Sequence, residues 1–191
     1  MERSNPTYRA LTDEALMRLF REKREEAAFV ALYQRYYPSL TKFLVWLGCE
    51  PDLARDETQN IFLKLYEKPA LFDASKCFKT WLFVVAKNRF YNQVRNKNKR
   101  RTLNQHYRTE QLEYPEEPQE ENEMKRIRLA INDLSPNHRE VMILKYSSNF
   151  TIAEISEICG CSEGTVKSRL FYAIKKLKSI LKVEQSLPHE K

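Results

Sequence analysis

The sequence predicts an all-α protein. It reads as two small helical domains joined by an extended acidic linker, the second domain a helix-turn-helix. Three observations carry this. Only three glycines, Gly48, Gly160 and Gly164, occur in 191 residues, too few for the tight turns of a sheet-rich fold. Apolar residues recur at helical spacing through most of the chain. Charge is segregated: eight Lys or Arg and no acid from Lys79 to Arg101, then seven Glu and no base from Glu110 to Glu123, then six bases and one Glu from Ser162 to Lys182.

Taken in chain order, the first dozen residues carry no pattern. A helix is expected over Asp13–Arg21 and a second over Glu25–Leu47. The second bears the stripe Phe29, Leu32, Tyr33, Tyr36, Leu40, Phe43, Leu44 and Leu47, suited to a bundle core. A third spans Leu53–Glu67, with Ile61, Phe62 and Leu65 apolar and Asp52, Asp56, Glu57, Gln59 and Asn60 polar. Acids favour a helix N-terminus, and the same polarity suits docking to a basic partner helix. Pro69 stops this helix, Phe72–Phe78 is a loop, and a fourth helix runs from Lys79 through the first basic block. That helix combines Trp81, Phe83, Phe90 and Tyr91 with Asn88, Asn92 and cations. Rings, amides and cations together meet the needs of single-strand binding, although some of the rings must belong to the core.

The stretch TLNQHYRTEQLEYPEEPQEEN has two prolines, like charges and no apolar period, so it is an extended linker. About 22 residues reach at most about 75 Å when straight and about 25 Å as a relaxed coil. Beyond it, Ser135-Pro136 starts a short helix carrying Val141, Met142, Leu144 and Lys145, Ser as N-cap and Pro at the first position. Thr151-x-x-Glu154 is a capping box opening a helix with Ile152, Ile155 and Ile158 inward. After Gly160 and Cys161, Ser162 caps a third helix whose core stripe is Val166, Leu170, Ala173 and Leu177. Ser156, Gly160 and Val166 have the spacing of a tight bend between two helices. The outer face of the last helix, Ser168, Phe171, Tyr172 and Lys175 flanked by Lys167 and Arg169, is what a major-groove reader requires. The expected boundaries are an N-terminal segment with the first helix (1–24), a first domain (25–101), the linker (102–124), the helix-turn-helix domain (125–183) and a tail (184–191).

Several function classes are excluded. No Gly-rich phosphate loop can be drawn with these glycines. No run of about 18 apolar residues exists for a membrane span, and Met1–Tyr8 is polar, so the chain is expected to stay in the cytoplasm. Cys49, Cys77, Cys159 and Cys161 with three scattered histidines supply no four-ligand metal set, so the thiols read as small core residues in a reducing compartment. Neither a cofactor nor catalysis is expected. One basic run is accounted for by a solvated helix face; two, interleaved with aromatics and amides, point to nucleic acid. At this level a free-standing helix-turn-helix regulator with a helical sensing domain remains open. A metal-dependent nuclease fits poorly, since no Asp, Glu and His converge.

The segments AAFVALYQRYYPSL, DETQNIFLKLY, FKTWLFVVAKNRFYN and LSPNHREVMILKY…TIAEISEICGCSEGTVKSRLFYAIKKL, in that order around an acidic linker, narrow the choice. The chain resembles the extracytoplasmic-function sigma factors, the small two-domain members of the main bacterial sigma family, from about Glu26 to Leu181. The resemblance implies a promoter-specificity subunit of bacterial RNA polymerase that catalyses nothing itself. It implies that Asp56, Glu57, Gln59, Asn60, Phe62 and Leu63 dock on the clamp helices of the largest polymerase subunit, with a further contact to the flap region.

The resemblance further implies that Phe72, Ser75, Lys76, Phe78, Lys79, Trp81, Lys87, Asn88 and Asn92 read the −10 element. Asn88 would lie against a base flipped from the melted non-template strand, with Arg95, Lys99 and Arg100 on phosphates. Thr151, Ser162, Thr165, Lys167, Ser168, Arg169, Phe171, Tyr172 and Lys175 would contact the double-stranded −35 element. The acidic linker would thread the polymerase cleft. Elements about 17 base pairs apart lie on the order of 60 Å from each other, which a coil does not span and a strand held in a channel does. An anti-sigma or other recruiting protein is a further implied partner. Three positions depart from the family pattern. Asn60 replaces a usual Glu, with Glu57 placed to compensate. Arg24-Glu25 replaces a common Gly-Asp. Tyr172 stands where many members carry Arg, which predicts weaker phosphate affinity and a shallower salt dependence.

Overall fold

A computed structural model describes residues 6–103 and 122–185, with side chains over 8–96, 126–127 and 129–181. The expected linker over residues 104–121, the tail beyond residue 185 and the side chains of Lys99 and Arg100 lie outside the described residues. Every regular element among the described residues is helical, in two compact units.

The first unit is built mainly from α1 (Pro6–Arg9), α2 (Asp13–Lys23), α3 (Glu26–Leu47), α4 (Pro51–Glu67) and α5 (Phe78–Leu103). Thr12 caps α2 by accepting the Ala15 N–H at 3.2 Å. Arg24 ends it in the left-handed region at φ 53°. The expected α3 stripe is inward, with Phe29, Leu32, Tyr36, Leu40, Phe43, Leu44 and Leu47 buried and Tyr33 half-buried. Helix α4 starts two residues before its expected start. The Glu50 carboxylate accepts the N–H groups of Asp52 and Leu53 at 3.1 and 2.9 Å, and Pro51 fits a first turn. After Lys68 a 3-10 turn (Pro69–Leu71) leads into the loop.

Helix α2, expected within a separate N-terminal segment, is part of the first bundle. Leu16, Met17 and Phe20 of α2 are buried, and the Phe20 ring lies 4.7 Å from Phe29 and 5.2 Å from Tyr66. Deeper in the bundle Phe43 meets Phe83 at 5.0 Å. Such tilted ring pairs add to the apolar area that each ring removes from water.

The second unit comprises α6 (Asn122–Asn132), α7 (Pro136–Met142), a π-helical turn (Ile143–Ser147), α8 (Ile152–Cys159) and α9 (Glu163–Gln185). Helix α6 had no counterpart in the sequence reading; it buries Ala130 and Ile131. Ser135 holds the N-cap position of α7, but its side chain makes no capping hydrogen bond. The π turn adds a residue to its turn, and Ile143 and Leu144 are both buried within it.

The Thr151–Glu154 capping box is formed. Gly160 adopts φ 64° with no atom within 4 Å of where a Cβ would stand, so the bend needs glycine for its backbone conformation and not for space. Ser162 accepts the Thr165 N–H at 3.2 Å and opens α9. Ile155, Ile158, Val166, Leu170 and Ala173 are buried, while Ile152 and Leu177 are half-buried. Lys176 Nζ donates to the Asp133 carbonyl at 3.0 Å, tying α9 to the end of α6.

Candidate polymerase and nucleic-acid interfaces

Helix α4 separates its polar residues by face. Ala54, Glu57, Thr58, Ile61, Phe62 and Leu65 are buried. Asp56, Gln59, Asn60 and Leu63 are exposed, and their spacing of three, four and seven puts them on one stripe. Two expected docking residues therefore change role. Phe62 is core, its ring edge-on to Phe29 at 6.1 Å. Glu57 is committed inward: its Oε2 accepts from Arg89 Nε at 2.7 Å and Nη2 at 2.6 Å. Glu57 thus does not compensate for Asn60, because its carboxylate serves to join α4 to α5.

The loop after α4 is held from three sides. Asp73 Oδ1 accepts from the Ser75 hydroxyl at 2.7 Å and the Ser75 N–H at 3.0 Å, a side-chain turn of the kind Asp favours. These bonds hold the Asp73 carboxyl below the usual carboxylate range. Lys76 N–H closes on the Asp73 carbonyl at 3.0 Å. The first residue of α5 donates its N–H to Glu14 Oε1 at 3.0 Å, so a carboxylate 64 positions upstream satisfies an N-terminal donor of α5. Phe72 and Phe78 meet edge to face at 5.2 Å, and Phe72 meets Trp81 at 5.4 Å.

Phe72 and Phe78 are buried and shape the loop from beneath. Ser75 and Lys76 are exposed at its tip, and Lys79, Trp81 and Lys87 are half-buried. Asn88, Asn92 and Arg95 are exposed along one stripe of α5, and Arg95 Nη2 donates to Asn92 Oδ1 at 2.9 Å. An apolar recess of about 240 Å³ opens against Ile61, Leu65, Leu71, Trp81 and Val85, with Lys64 and Arg89 also in its wall. An apolar slot with Lys64 in its lining, Arg89 being paired with Glu57, suits a ring that carries a phosphate.

In the second unit Lys167, Ser168, Phe171, Tyr172 and Lys175 are all exposed on α9, as the sequence predicts. The Phe171 and Tyr172 rings meet edge to face at 5.4 Å. The flanking positions differ. Arg169 is half-buried, and its Nη1 approaches Cys161 Sγ at 3.7 Å. Thr151 Oγ1 donates to Glu154 Oε2 at 2.8 Å and accepts the Glu154 N–H at 3.2 Å. Ser162 and Thr165 share a hydroxyl bond of 2.9 Å. These three hydroxyls serve helix starts first.

Sequence reasoning missed Glu14 and Asp73, and saw Arg89 only as one cation in a block. The Asp-x-Ser spacing at Asp73 was readable; the pairing of Glu14 with residue 78 had no local signal. Among the described residues no three His, Cys, Asp or Glu are grouped to hold a metal, and no helix is long and apolar enough to cross a membrane.

Residues 32–100 match the family described as Sigma-70 region 2, and residues 124–177 match Sigma-70, region 4. The ECF RNA polymerase sigma factor SigL of Mycobacterium tuberculosis is 31% identical over 163 residues, which cover 82% of this chain and 90% of the relative. The ECF RNA polymerase sigma factor RpoE of Cereibacter sphaeroides is 29% identical over 86% of this chain and 92% of its own. Among solved structures, the sigma factor RpoE in complex with the anti-sigma factor NepR from Bartonella quintana is similar, with a TM-score of 0.72 and 30% identity over 81% of this chain and 97% of that one.

Proposed function

Because the chain belongs to the ECF RNA polymerase sigma factors, and so is a promoter-specificity subunit and not an enzyme, we propose that its two units divide promoter reading between them. The first unit docks through the α4 stripe of Asp56, Gln59, Asn60 and Leu63 on the clamp helices of the largest polymerase subunit. It reads the −10 element through the loop tip at Ser75 and Lys76 and the α5 stripe of Asn88, Asn92 and Arg95. A base drawn from the melted non-template strand lies against Asn88 on the exposed stripe of α5, its pairing edge toward the amide. The second unit reads the −35 duplex through the outer face of α9 and contacts the flap region. The acidic linker, expected over 102–124 and bounded by the end of α5 at Leu103 and the start of α6 at Asn122, joins the two.

The observation that carries this reading is the division of the first unit's surface. One helix presents an acid-and-amide stripe and the next an amide-and-cation stripe, and Glu57 and Arg89 join the two helices. The first stripe suits a basic protein surface and the second a nucleic-acid strand. The complex of the Bartonella relative supports an anti-sigma protein as a further partner. The chain acts in the cytoplasm, where polymerase and promoters are.

Run-off transcription with purified core polymerase tests the reading. The chain plus core should give promoter-dependent transcripts from genomic fragments, and the chain alone should shift the same duplexes poorly. Tight duplex binding without core, together with no binding to core, would reject it in favour of a free-standing regulator.

A further inference from the structure

We propose that Glu14 is a positioning residue for −10 reading: by capping α5 from the neighbouring helix α2, its carboxylate sets the loop tip at Ser75 and Lys76 in register with the amide stripe of α5. The inference rests on the reading above, in which that tip and that stripe meet one strand.

Helix α5 starts without a cap of its own. The Cys77 carbonyl accepts the Trp81 N–H at 3.0 Å, which puts Cys77 at the N-cap position. A thiol is a poor acceptor there, where Ser, Thr, Asp or Asn would supply an oxygen. The first turn holds no acid, and Lys79 stands in it against the helix dipole. Glu14 fills both needs: its Oε1 accepts the Phe78 N–H at 3.0 Å and brings a negative charge to that end. Glu14 is itself well placed. Asp13, beside it, accepts from Arg35 and Tyr36 of α3, and Arg35 donates also to the Arg9 and Leu11 carbonyls at 3.2 Å. Between α2 and Phe72 and Ala74 lies an open recess of about 340 Å³, so packing against α2 does not hold the tip. Its place is set at its two ends, by Phe72 against Trp81 and by Phe78 bonded to Glu14. Ser75 and Lys76 directly precede this junction, and Lys79 and Trp81 directly follow it. A first turn that frays moves them relative to Asn88 and Asn92 further along the helix. Phosphate contacts hold a strand wherever charge reaches it, whereas base contacts need fixed geometry. The loss therefore falls on discrimination between sequences and not on affinity for polymerase, whose proposed docking residues lie on α4.

The test uses holoenzyme, the full chain bound to its core polymerase. Its probes are fork duplexes carrying a −10 element that this holoenzyme selects from a randomised library, or single-base variants of that element. In Glu14→Ala the binding ratio between the selected element and its variants should fall by up to about fivefold, the worth of one helix cap, while affinity for core stays unchanged. Glu14→Gln, which keeps an acceptor oxygen, should retain most of the ratio. Cys77→Ser, which gives α5 a hydroxyl at its own N-cap, should restore the ratio in the Glu14→Ala background; this rescue separates a cap from a carboxylate that touches DNA. Where Glu14→Ala impairs folding and core binding, Glu14→Asp, one methylene shorter, is read in its place and should lower the ratio too. A ratio untouched by these variants, a uniform change in affinity for all elements, or no rescue by Cys77→Ser would overturn the inference alone. An unmodified holoenzyme that shows no −10 preference would overturn the proposed function and this inference with it.

Discussion

Arg89→Ala should destabilise the first unit by about 2–3 kcal/mol. The Glu57 side chain is 11% exposed and that of Arg89 29%, and both guanidinium contacts, 2.6 and 2.7 Å, fall on one carboxylate oxygen. Deleting one partner of a fully buried pair costs about 3–5 kcal/mol, because the other charge stays behind uncompensated. An exposed pair contributes about 0–1 kcal/mol. The residual exposure of Arg89 places this pair between the two. For a unit of this size about 2–3 kcal/mol lowers the melting temperature by roughly 10–20 °C. Scanning calorimetry of the full chain should show one transition falling by that amount while the transition of the second unit stays in place. The shift should change little between low and high salt, since a half-buried pair is poorly screened. Glu57→Leu combined with Arg89→Leu should recover most of the loss, as an apolar pair of similar volume replaces the ions. If each single variant moved the transition by under about 1 °C and the double variant moved it by their sum, the bridge would contribute nothing. The joining of α4 to α5 would then rest on apolar packing alone.

Four further outcomes are expected. Asn88→Ala should damage −10 recognition and opening in a permanganate footprint while leaving affinity for core polymerase unchanged; lost core binding with intact base preference would contradict the assignment. Leu63→Ala, at an exposed position in the proposed docking stripe, should weaken core binding roughly tenfold, as loss of an interface anchor does, with no effect on the far-UV spectrum. Glu14→Ala should cost about 1 kcal/mol in urea unfolding through the lost cap on α5, and Glu14→Gln, which keeps an acceptor oxygen, should cost less. Tyr36 is buried and donates to Asp13, and both raise its phenol pKa far above the ordinary value of 10.0. Its contribution should be complete below about pH 10 and be lost as pH rises beyond. Tyr36→Phe should flatten that alkaline decline in the melting temperature.

The helix-turn-helix was legible because its signals are local. Thr151 and Glu154 are three residues apart, Gly160 marks a left-handed bend, and the α9 stripe repeats every three or four residues. The outer face of α9 followed from the same periodicity, which is why Phe171 and Tyr172 lie on the surface as expected; Asn88 and Asn92, also exposed, came from the family resemblance and not from a repeat. What escaped was non-local. Nothing near Phe72 or Phe78 says that they turn inward onto Trp81 and Tyr36, and aromatic residues in a loop read equally well as ligand contacts. Glu57 reads as a surface acid until α5 brings Arg89 to it, 32 positions later. Helix α6 was hidden because its opening residues continue the acidic composition of the linker, and composition outweighed the short apolar repeat at Ile127, Ala130 and Ile131.

The participation of α2 in the first unit bears on how that unit can be cut. The family signature begins at residue 32, yet Leu16, Met17 and Phe20 fill the bundle and Glu14 closes the first turn of α5. A fragment trimmed to the signature would bare a greasy trench along α3 and leave the loop proposed to read the promoter without its upstream clasp. It would be expected to clump in solution and to misjudge sequence, and those faults would belong to the excision and not to the protein.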